Sequence, residues 1–460
     1  MNIQNTTASR IEEIIVKQRG YYRGESTLKL GFRKQMLKRL LKAMKHCEKE
    51  LSDALYVDLH KSYEEAYMTE ISIVYGEIKN HLDNFKDWAS CEKVSTPLKM
   101  FPSQTYIVKE PLGNALIIAP WNYPVQLLLN PLVGAISAGC TAILKPSPYV
   151  PTVSSVIEKM IAETFDEEYV AVVQGNREVN AQLLSYRYDM IFFTGSPSLG
   201  KLVMKAASQY LTPLVLELGG KSPCIVDREC NVRIAARRIV FGKTLNSGQT
   251  CIAPDYLFVH KSVKEAFKKA FQEELKKMHG EDVEKSLHYV RLVNDRAFDR
   301  VLSYMDDGDV VVGGRSNRDT RYIEPTLIEN VAMDSPLMTE EIFGPIFPLH
   351  EFEDIDEVIQ FVNERDKPLA LYYFGDEKRG WKLIRRTSSG GACINDTIMH
   401  IANENVPFGG VGNSGMGSYH GRDSFLAFSH RRTVVTTPKC FDLPFRYMPY
   451  KYFKWIKKLL

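Results

Sequence analysis

Between Pro111 and Thr212, short apolar runs alternate with stretches of helical periodicity, and this alternation restricts the fold more than any other feature of the chain. Each run ends at a proline, a glycine or a polar residue, which predicts a series of short strands with helices between them. The predicted strands are Ala115–Ala119, Thr141–Leu144, Val170–Val173 and Met190–Phe193. Such a series forms a parallel sheet covered on both faces. Ligands bind these sheets at the carboxyl ends of the strands.

A second series of the same kind begins at Pro213. Its predicted strands are Leu214–Leu216, Cys224–Val226, Tyr256–Val259, Val310–Val312, Ile346–His350, Ala370–Phe374 and Gly391–Ile394. The chain before residue 100 differs, because its apolar spacing predicts long helices over Ser26–His60 and Ser62–Trp88. A strand is predicted over Ser103–Lys109. We therefore expect an α/β protein with two doubly wound domains packed across a cleft.

The composition narrows the function classes. The 460 residues carry a net charge of +3, which gives no reason to expect nucleic-acid binding. The eight cysteines are scattered without a C-x-x-C pair, so we expect no metal site and a reducing, cytoplasmic location. Met1–Gly20 lacks the apolar core of a secretory signal. No run of about 18 apolar residues is present to span a membrane as a helix.

Cys251 lies in the segment Leu245–Pro254, LNSGQTCIAP, which we interpret as a loop that leads into the strand Tyr256–Val259. Gly248 allows the backbone to approach a ligand closely. The thiol is therefore expected at the end of an element and not inside a core. From these residues alone, Cys251 is either a small buried hydrophobe, as most free cysteines are, or a nucleophile.

Several other short segments give the Cys251 loop a context. In chain order they are Pro120–Pro124 (PWNYP), Lys145–Ser147 (KPS), Phe193–Ser196 (FTGS), Glu217–Lys221 (ELGGK), Glu340–Pro345 (EEIFGP) and Pro407–Gly410 (PFGG). Together they resemble the aldehyde dehydrogenase superfamily over nearly the whole chain. The run Pro407–Gly421 and the segment Ser429–Arg432 are similar to its class 3 branch. The resemblance implies a Rossmann-like cofactor domain, a catalytic domain and a small β extension for oligomerisation.

The resemblance also implies where the domains begin and end. Residues 1–100 and 111–212 would form the cofactor-binding domain, and residues 213–405 the catalytic domain. The bridging and oligomerisation segments would be residues 101–110 and 406–438. Residues 439–460 would follow as a basic, aromatic C-terminal tail.

By resemblance, Cys251 is the nucleophile. Oxidation of an aldehyde by hydride transfer first requires a tetrahedral carbon, and a thiolate that adds to the carbonyl forms one. The Asn122 amide and the Cys251 backbone N–H would bind the alkoxide, and Glu217 would activate the water that hydrolyses the thioester. Without the other motifs, Asn122 would be a turn residue before Tyr123. Glu217 would be a carboxylate paired with Lys221.

The resemblance implies NAD or NADP as the cofactor, although the chain has no G-x-G-x-x-G. A pyrophosphate would lie near Gly195 and Ser196, where a helix begins with Ser198 as its N-cap. The alternative is an ordinary strand–turn–helix connection. Lys145 would contact the adenosine ribose. Further contacts to the cofactor are expected from Gly175, Leu199, Gly200, Leu218, Glu341 and Phe343.

Two positions near the expected cofactor, Glu341 and Pro148, need a separate argument. Glu341 resembles the glutamate that holds the nicotinamide ribose, and its alternative is a charge in the first turn of a helix. Three residues after the ribose lysine, NAD-selective members of the family often carry a glutamate that repels a 2′-phosphate. This chain has Pro148 there. We therefore expect it to accept NADP beside NAD.

The substrate is less constrained than the chemistry. Tyr123 is expected near the substrate tunnel, and the class 3 resemblance favours a lipophilic aldehyde, which includes medium- or long-chain aliphatic, terpenoid and aromatic ones. A pathway semialdehyde dehydrogenase with a charged pocket is the alternative. A catalytically silent structural protein on the same fold would be expected to lack Cys251, Glu217 or Asn122, and all three are present.

The C-terminal segment Phe441–Leu460 interleaves lysines with aromatic residues. This pattern suits a membrane surface, which would place the protein on the inner face of a membrane and fit a lipophilic substrate. The other interpretation is an arm that packs on a neighbouring subunit, and the sequence leaves both open. The class 3 resemblance implies a homodimer, with Ser103–Lys109 and Ser429–Thr437 at its interface.

Overall fold

The computed structural model of the protein describes residues 3–454 and residue 457. The α-helices are α1 (Ala8–Arg23), α2 (Leu30–His46), α3 (Glu48–Leu59), α4 (Tyr63–Ala66), α5 (Ser72–Ala89), α6 (Gln126–Ala138), α7 (Pro151–Thr164), α8 (Arg177–Leu184), α9 (Pro197–Ser208), α10 (Val232–Thr244), α11 (Lys264–His279), α12 (Asp295–Ser303), α13 (Pro336–Thr339), α14 (Ile355–Asn363), α15 (Glu377–Arg386) and α16 (Arg422–Ala427).

The strands are β1 (Glu92–Val94), β2 (Gln104–Pro111), β3 (Asn114–Ile118), β4 (Thr141–Lys145), β5 (Val170–Val172), β6 (Met190–Thr194), β7 (Leu214–Glu217), β8 (Pro223–Val226), β9 (Tyr256–His260), β10 (Asp309–Val312), β11 (Ser316–Asn317), β12 (Tyr322–Ile323), β13 (Thr326–Glu329), β14 (Ile346–Phe352), β15 (Ala370–Phe374), β16 (Gly391–Ile394), β17 (Gly415–Met416) and β18 (Ser429–Thr436).

The first large sheet has the strand order β17-β7-β6-β3-β4-β5. Its strands run parallel, except that β17 pairs with β7 in the antiparallel direction. Every residue of β3, β4 and β6 is buried, as is typical of strands covered by helices on both faces. The predicted strands of the first series are confirmed within one residue at each end.

Strand β7 belongs to this first sheet and not to the second series, where the sequence analysis put it. It pairs in parallel with β6, from Leu214 beside Ile191 to Glu217 beside Thr194. An apolar run shows that a strand exists but not which strand it pairs with, which explains the difference. Glu217 therefore ends a strand of the sheet that also carries Lys145.

The second large sheet has the order β10-β13-β14-β9-β8-β15-β16, and all its pairs are parallel except β10–β13. The six strands predicted here other than β7 are present, and Ala370–Phe374 and Gly391–Ile394 have the predicted bounds. Strand β13 was not predicted. It spans four residues after Pro325, too few to show a period.

The N-terminal helices are more broken than the periodicity predicts. The single helix predicted over Ser26–His60 is two helices, α2 and α3, which meet at Cys47. The helix predicted over Ser62–Trp88 consists of α4, a π-helical turn at Tyr67–Ile71 and α5. Helices α2, α3 and α5 pack against α6 and α7 of the first sheet. π-Turns often occur at functional sites.

Strands β1, β2 and β18 form a separate antiparallel sheet. Strand β18 pairs with β2 from Ser429 beside Pro111 to Thr436 beside Gln104, so the predicted strand at Ser103–Lys109 is confirmed. Within the described part of the chain, no helix is long and apolar enough to cross a membrane. Of the predicted tail, Trp455, Ile456 and Lys458–Leu460 lie outside the described residues.

Candidate active site

The Cys251 loop follows α10 and leads into β9. Before the cysteine, Asn246, Ser247 and Gly248 take left-handed conformations, with φ of 50°, 51° and 73°. A Cβ on Gly248 would collide with the carbonyl oxygen of Gly344, so only glycine fits there. The loop is thereby held against the segment that carries Glu341. These contacts support a left-handed conformation that is unfavourable for Ser247, although Asn tolerates it better than most residues.

The Cys251 thiol is partly exposed, and its surroundings disfavour the thiolate. Burial is the largest cause of its raised pKa, followed by the negative charges of Glu341 and Glu217. These surroundings therefore favour the thiol over the thiolate. The charge effects also show that both carboxylates act on the same sulfur.

Glu217 is 3% exposed, and neither carboxylate oxygen has a hydrogen-bond partner among residues 3–454. Burial raises its pKa well above the ordinary value. The pairing with Lys221 that the sequence left open is wrong, because the Lys221 ammonium binds Asp255 and the carbonyl oxygens of Leu337 and Glu340. A buried carboxylate without a partner is a candidate for proton transfer.

The glycines of the PFGG motif make room for this carboxylate. A Cβ on Gly409 would lie 3.2 Å from Oε1 of Glu217, and Gly415 of β17 pairs with Glu217 across the sheet edge. Helix α9 packs closely against Leu218, the residue after Glu217. A Cβ on Gly200 of this helix would lie only 2.7 Å from Cδ2 of Leu218. Gly200 and Leu218 therefore contact each other through close helix–strand packing.

Asn122 is 2% exposed, and its side chain reaches the Cys251 loop. The amide Nδ2 donates to the Gln249 carbonyl oxygen at 2.9 Å, and this uses one of its two N–H groups. The hydroxyl of the next residue, Tyr123, lies 2.7 Å from Oγ1 of Thr250. Tyr123 is thus buried against the residue that precedes Cys251.

A cleft of about 770 Å³ opens at the carboxyl ends of the first sheet. Of the predicted cofactor residues, it is lined by Lys145, Gly195, Ser196 and Leu199. Gly175, Gly200, Leu218, Glu341 and Phe343 are not in its lining. Gly175 instead has φ of 146° and packs against Val179 in the turn before α8.

The sequence predicted Ser198 as the N-cap of α9, but the N-cap is Ser196. Its hydroxyl oxygen accepts a hydrogen bond from the Leu199 N–H at 3.4 Å, and Pro197 is the first helical residue. Proline favours this position because it has no N–H to satisfy, and it keeps the residue before it extended. The cap therefore lies one residue beyond the end of the FTG run.

Lys145 lies at the base of the cleft and is 1% exposed. Its ammonium donates to the Pro146 carbonyl oxygen at 2.7 Å, and it forms no ion pair with any residue that the structure describes. Burial lowers its pKa to about 8. Ser147, Pro148 and Arg177 continue the lining, which contains no carboxylate. A cleft with two cations and no anion suits a ligand that carries phosphate.

Glu341 and Phe343 lie on the other side of the Cys251 loop. The Glu341 carboxylate contacts the backbone of Gly219, and burial together with Asp255 raises its pKa to about 8. It lies beyond the end of α13, so the helix-charge alternative is wrong. The Phe343 ring is 5.5 Å from the Trp121 ring at an interplanar angle of 82°. Because Trp121 lines the cleft, Phe343 lies directly behind its lining.

Some residues of the site were not predicted. Arg177 is exposed at the start of α8, where the sequence shows only an ordinary surface arginine. Lys61, Glu65 and Glu70 are buried beneath the Cys251 loop, although their spacing is that of charges on a solvated helix. The residue types at these four positions gave no indication that they belong to the site. Within the described ranges, no group of three His, Cys, Asp or Glu side chains could hold a metal.

Known proteins resemble this chain over its length. Residues 1–434 match the aldehyde dehydrogenase family. The 4,4'-diaponeurosporen-aldehyde dehydrogenase of Staphylococcus aureus is 46% identical over 451 residues, 97% of this chain and 98% of that protein. The "Aldehyde dehydrogenase, dimeric NADP-preferring" of Canis lupus familiaris is 42% identical over 444 residues, 96% and 98% of the two chains. A solved structure described as "Substrate bound state of Staphylococcus Aureus AldH" has a TM-score of 0.96 at 45% identity and covers 98% of this chain and 99% of its own.

Proposed function

This chain belongs to the aldehyde dehydrogenase family, and we propose that it oxidises lipophilic aldehydes to carboxylic acids with NAD or NADP as the hydride acceptor. One observation carries the proposal. The buried Glu217 carboxylate has no partner in the described part of the chain, and its charge acts on the Cys251 sulfur. We take Cys251 as the nucleophile and Glu217 as the base, and Gly195 of the cleft lining donates its backbone N–H to the Glu217 carbonyl oxygen at 3.0 Å.

In the proposed first step, the Cys251 thiol gives its proton to solvent water, and the thiolate then adds to the aldehyde carbonyl carbon while the carbonyl π electrons move onto the oxygen. The alkoxide that forms accepts hydrogen bonds from the Cys251 backbone N–H and from the Asn122 amide N–H that Gln249 does not use. Donors held in place in this way contribute about 3 kcal/mol each to the stability of a transition state. When bound, the oxidised nicotinamide supplies a positive charge beside the thiol and accepts the hydride.

In the second step, the thioester on Cys251 is hydrolysed. Glu217 takes a proton from water as the water oxygen bonds to the acyl carbon, and the carbon–sulfur bond then breaks to release the acid. The raised pKa of Glu217 makes its ionised form a stronger proton acceptor than an ordinary carboxylate.

The cofactor would be held by residues on both sides of the cleft. Lys145 would bind the adenosine ribose, Gly195 and Ser196 the pyrophosphate at the start of α9, and Glu341 the nicotinamide ribose. The fit is supported by the buried ammonium of Lys145, which has no acidic partner among the described residues. Pro148 places no carboxylate near a 2′-phosphate. A kcat/KM for NADP at least about a thousandfold below that for NAD would contradict this assignment.

The substrate class is the part of the proposal that rests on similarity. The Staphylococcus aureus relative is named for 4,4'-diaponeurosporen-aldehyde, and the match to it covers nearly both chains. We expect kcat/KM to rise with chain length in a panel of linear aldehydes, because each buried CH₂ contributes about 0.8 kcal/mol. A preference for charged semialdehydes over neutral aldehydes of equal length would contradict the lipophilic class.

We also propose that the protein is a homodimer that contacts a membrane surface. Strand β18 is an outer strand of the small sheet and would supply the subunit interface together with β2. Beyond it, Phe441, Tyr450 and Phe453 are about half exposed and lie among lysines. Light scattering that gives a monomer mass would contradict the dimer. Unchanged binding to anionic liposomes after deletion of residues 444–460 would contradict the membrane contact.

The Glu217→Gln variant tests the proposed chemistry directly. With aldehyde and oxidised cofactor, it should form one reduced cofactor per active site in a burst and then stall as the thioester, because attack is intact while hydrolysis lacks its base. Absorbance of the reduced nicotinamide follows the burst, and mass spectrometry of the quenched protein detects the acyl group on Cys251. A full steady-state rate would show that the base lies elsewhere.

A further inference from the structure

Three charged side chains from the N-terminal helical region lie beneath the Cys251 loop. Lys61 lies between α3 and α4, Glu65 in α4, and Glu70 in the π-helical turn. Lys61 and Glu70 are 0% exposed and Glu65 is 6% exposed. Charges are rarely buried so completely unless they are paired and hydrogen-bonded. Their contacts lead to the two parts of the proposed oxyanion hole.

Lys61 holds the Asn122 side of the hole. Its ammonium donates to Oε1 of Glu70 at 2.7 Å and to the Asn122 carbonyl oxygen at 3.3 Å, and it lies 4.3 Å from the centre of the Tyr123 ring. The other Glu70 oxygen accepts the Val125 N–H at 2.8 Å, where the chain enters α6. The backbone from Asn122 to Val125 is therefore fixed by one buried ion pair.

Glu65 holds the Cys251 side. Its Oε1 accepts the backbone N–H of Asn246 at 2.9 Å, at the start of the left-handed turn. The Asn246 amide then donates to the carbonyl oxygens of Asn122 at 2.9 Å and Gln249 at 3.1 Å. The Glu65 side chain therefore supports the backbone at Asn246, where the left-handed turn begins.

We infer that Lys61 and Glu65 are positioning residues that set the distance between the Asn122 amide and the Cys251 backbone N–H. This inference rests on the proposed function, in which these two donors bind the alkoxide. Neither residue is placed to touch the substrate. They act through Asn122 and Asn246, and an error of about 1 Å in such a geometry can lower a rate about a hundredfold.

The test uses the burst of the Glu217→Gln protein, because the burst separates alkoxide formation and hydride transfer from the later hydrolysis of the thioester. Lys61→Met and Glu65→Gln are each added to this background, with Glu64→Gln as the matched control, since Glu64 is the adjacent and exposed glutamate. We expect the burst rate constant to fall about tenfold to a hundredfold in the first two and to stay unchanged in the control. Burst amplitude per folded site and the Kd for NADPH should change less than about twofold in all three.

A second variant keeps the test decisive if Lys61→Met folds poorly. The double variant Lys61→Met/Glu70→Gln removes both members of the Lys61–Glu70 ion pair together, and replacing a buried ion pair in this way often preserves the fold. Its burst rate constant should still be lowered, because the donor to Asn122 is gone. Unchanged rate constants, or a loss of amplitude alone, would overturn the positioning role. If the Glu217→Gln parent forms no reduced cofactor at all, the proposed function itself fails.

Discussion

Glu217 and Glu70 are both buried carboxylates at this site, and their surroundings are opposite. The two oxygens of Glu217 have no hydrogen-bond partner among the described residues, while those of Glu70 bind the Lys61 ammonium and the N–H groups of Val125 and Gln126. An unpartnered buried carboxylate keeps its proton readily and can exchange it. A fully bonded one fixes geometry. Burial alone therefore does not identify a catalytic acid or base.

The largest expected effect is a fall in kcat when Asn122, whose backbone carbonyl binds the Lys61 ammonium, loses its side-chain amide. Asn122→Ala should lower kcat about a hundredfold or more, because one alkoxide donor is lost. Asn130→Ala is the control, because Asn130 is also buried but lies within α6, whereas Asn122 precedes that helix. Steady-state kinetics of both variants measure the difference. Equal losses in the two would mean that Asn122 acts only through packing.

Isosteric replacement of the two carboxylates should separate their roles in stability. Glu70→Gln should lower the free energy of unfolding by about 2 kcal/mol or more, because it leaves Lys61 without its counter-charge. Glu217→Gln breaks no hydrogen bond within the described residues and should cost nothing at neutral pH. Chemical denaturation at one pH measures both. A larger loss in Glu217→Gln would reverse the comparison.

The pH dependence of stability sharpens the same contrast. The folded pKa of Glu217 is raised above its ordinary value of 4.5, so the folded protein binds more protons than the unfolded chain above that pH. Its contribution to stability is therefore complete below about pH 4.5 and is lost as pH rises towards the folded pKa. The Glu217→Gln variant should gain stability relative to the parent between pH 5 and pH 8. A constant difference across this range would show that Glu217 is ionised in the folded protein.

A carboxylate added to the cofactor cleft should have the smallest effect. Pro148→Glu should lower kcat/KM for NADP about tenfold through repulsion of the 2′-phosphate, a cost of about 1.4 kcal/mol, and leave that for NAD nearly unchanged. Pro148→Gln controls for the loss of proline. If NAD and NADP respond equally to Pro148→Glu, then the 2′-phosphate does not lie near this position.

Much of the fold could be predicted because parallel strands buried on both faces are continuous apolar runs. Strands β3, β4, β6 and β15 were predicted within one residue at each end for this reason. Strand β13 was too short to show a pattern. Strand β7 was recognised but assigned to the wrong sheet, because pairing depends on neighbours that are distant in sequence.

The residues of the site can also be divided into those that the sequence indicated and those that it did not. Cys251, Glu217 and Asn122 were predicted as site residues from short segments in a fixed order, and Lys145 from its resemblance to a ribose-binding lysine, and these roles stay predictions. Gly175, Gly200 and Leu218 were assigned to the cofactor, but the structure shows them in close backbone packing and outside the lining of the cleft.

The sequence by itself determined the two α/β series, the family and the residues proposed for the chemistry, because each is written in local runs and short motifs. Only the tertiary structure decided which side chains lie beneath the residues proposed for the chemistry. Lys61, Glu65 and Glu70 have the spacing of surface charges, and they become the support of the Cys251 loop because the first α-helices fold back over α6. A charge acquires that role from its partners, which come from up to 181 residues away along the chain.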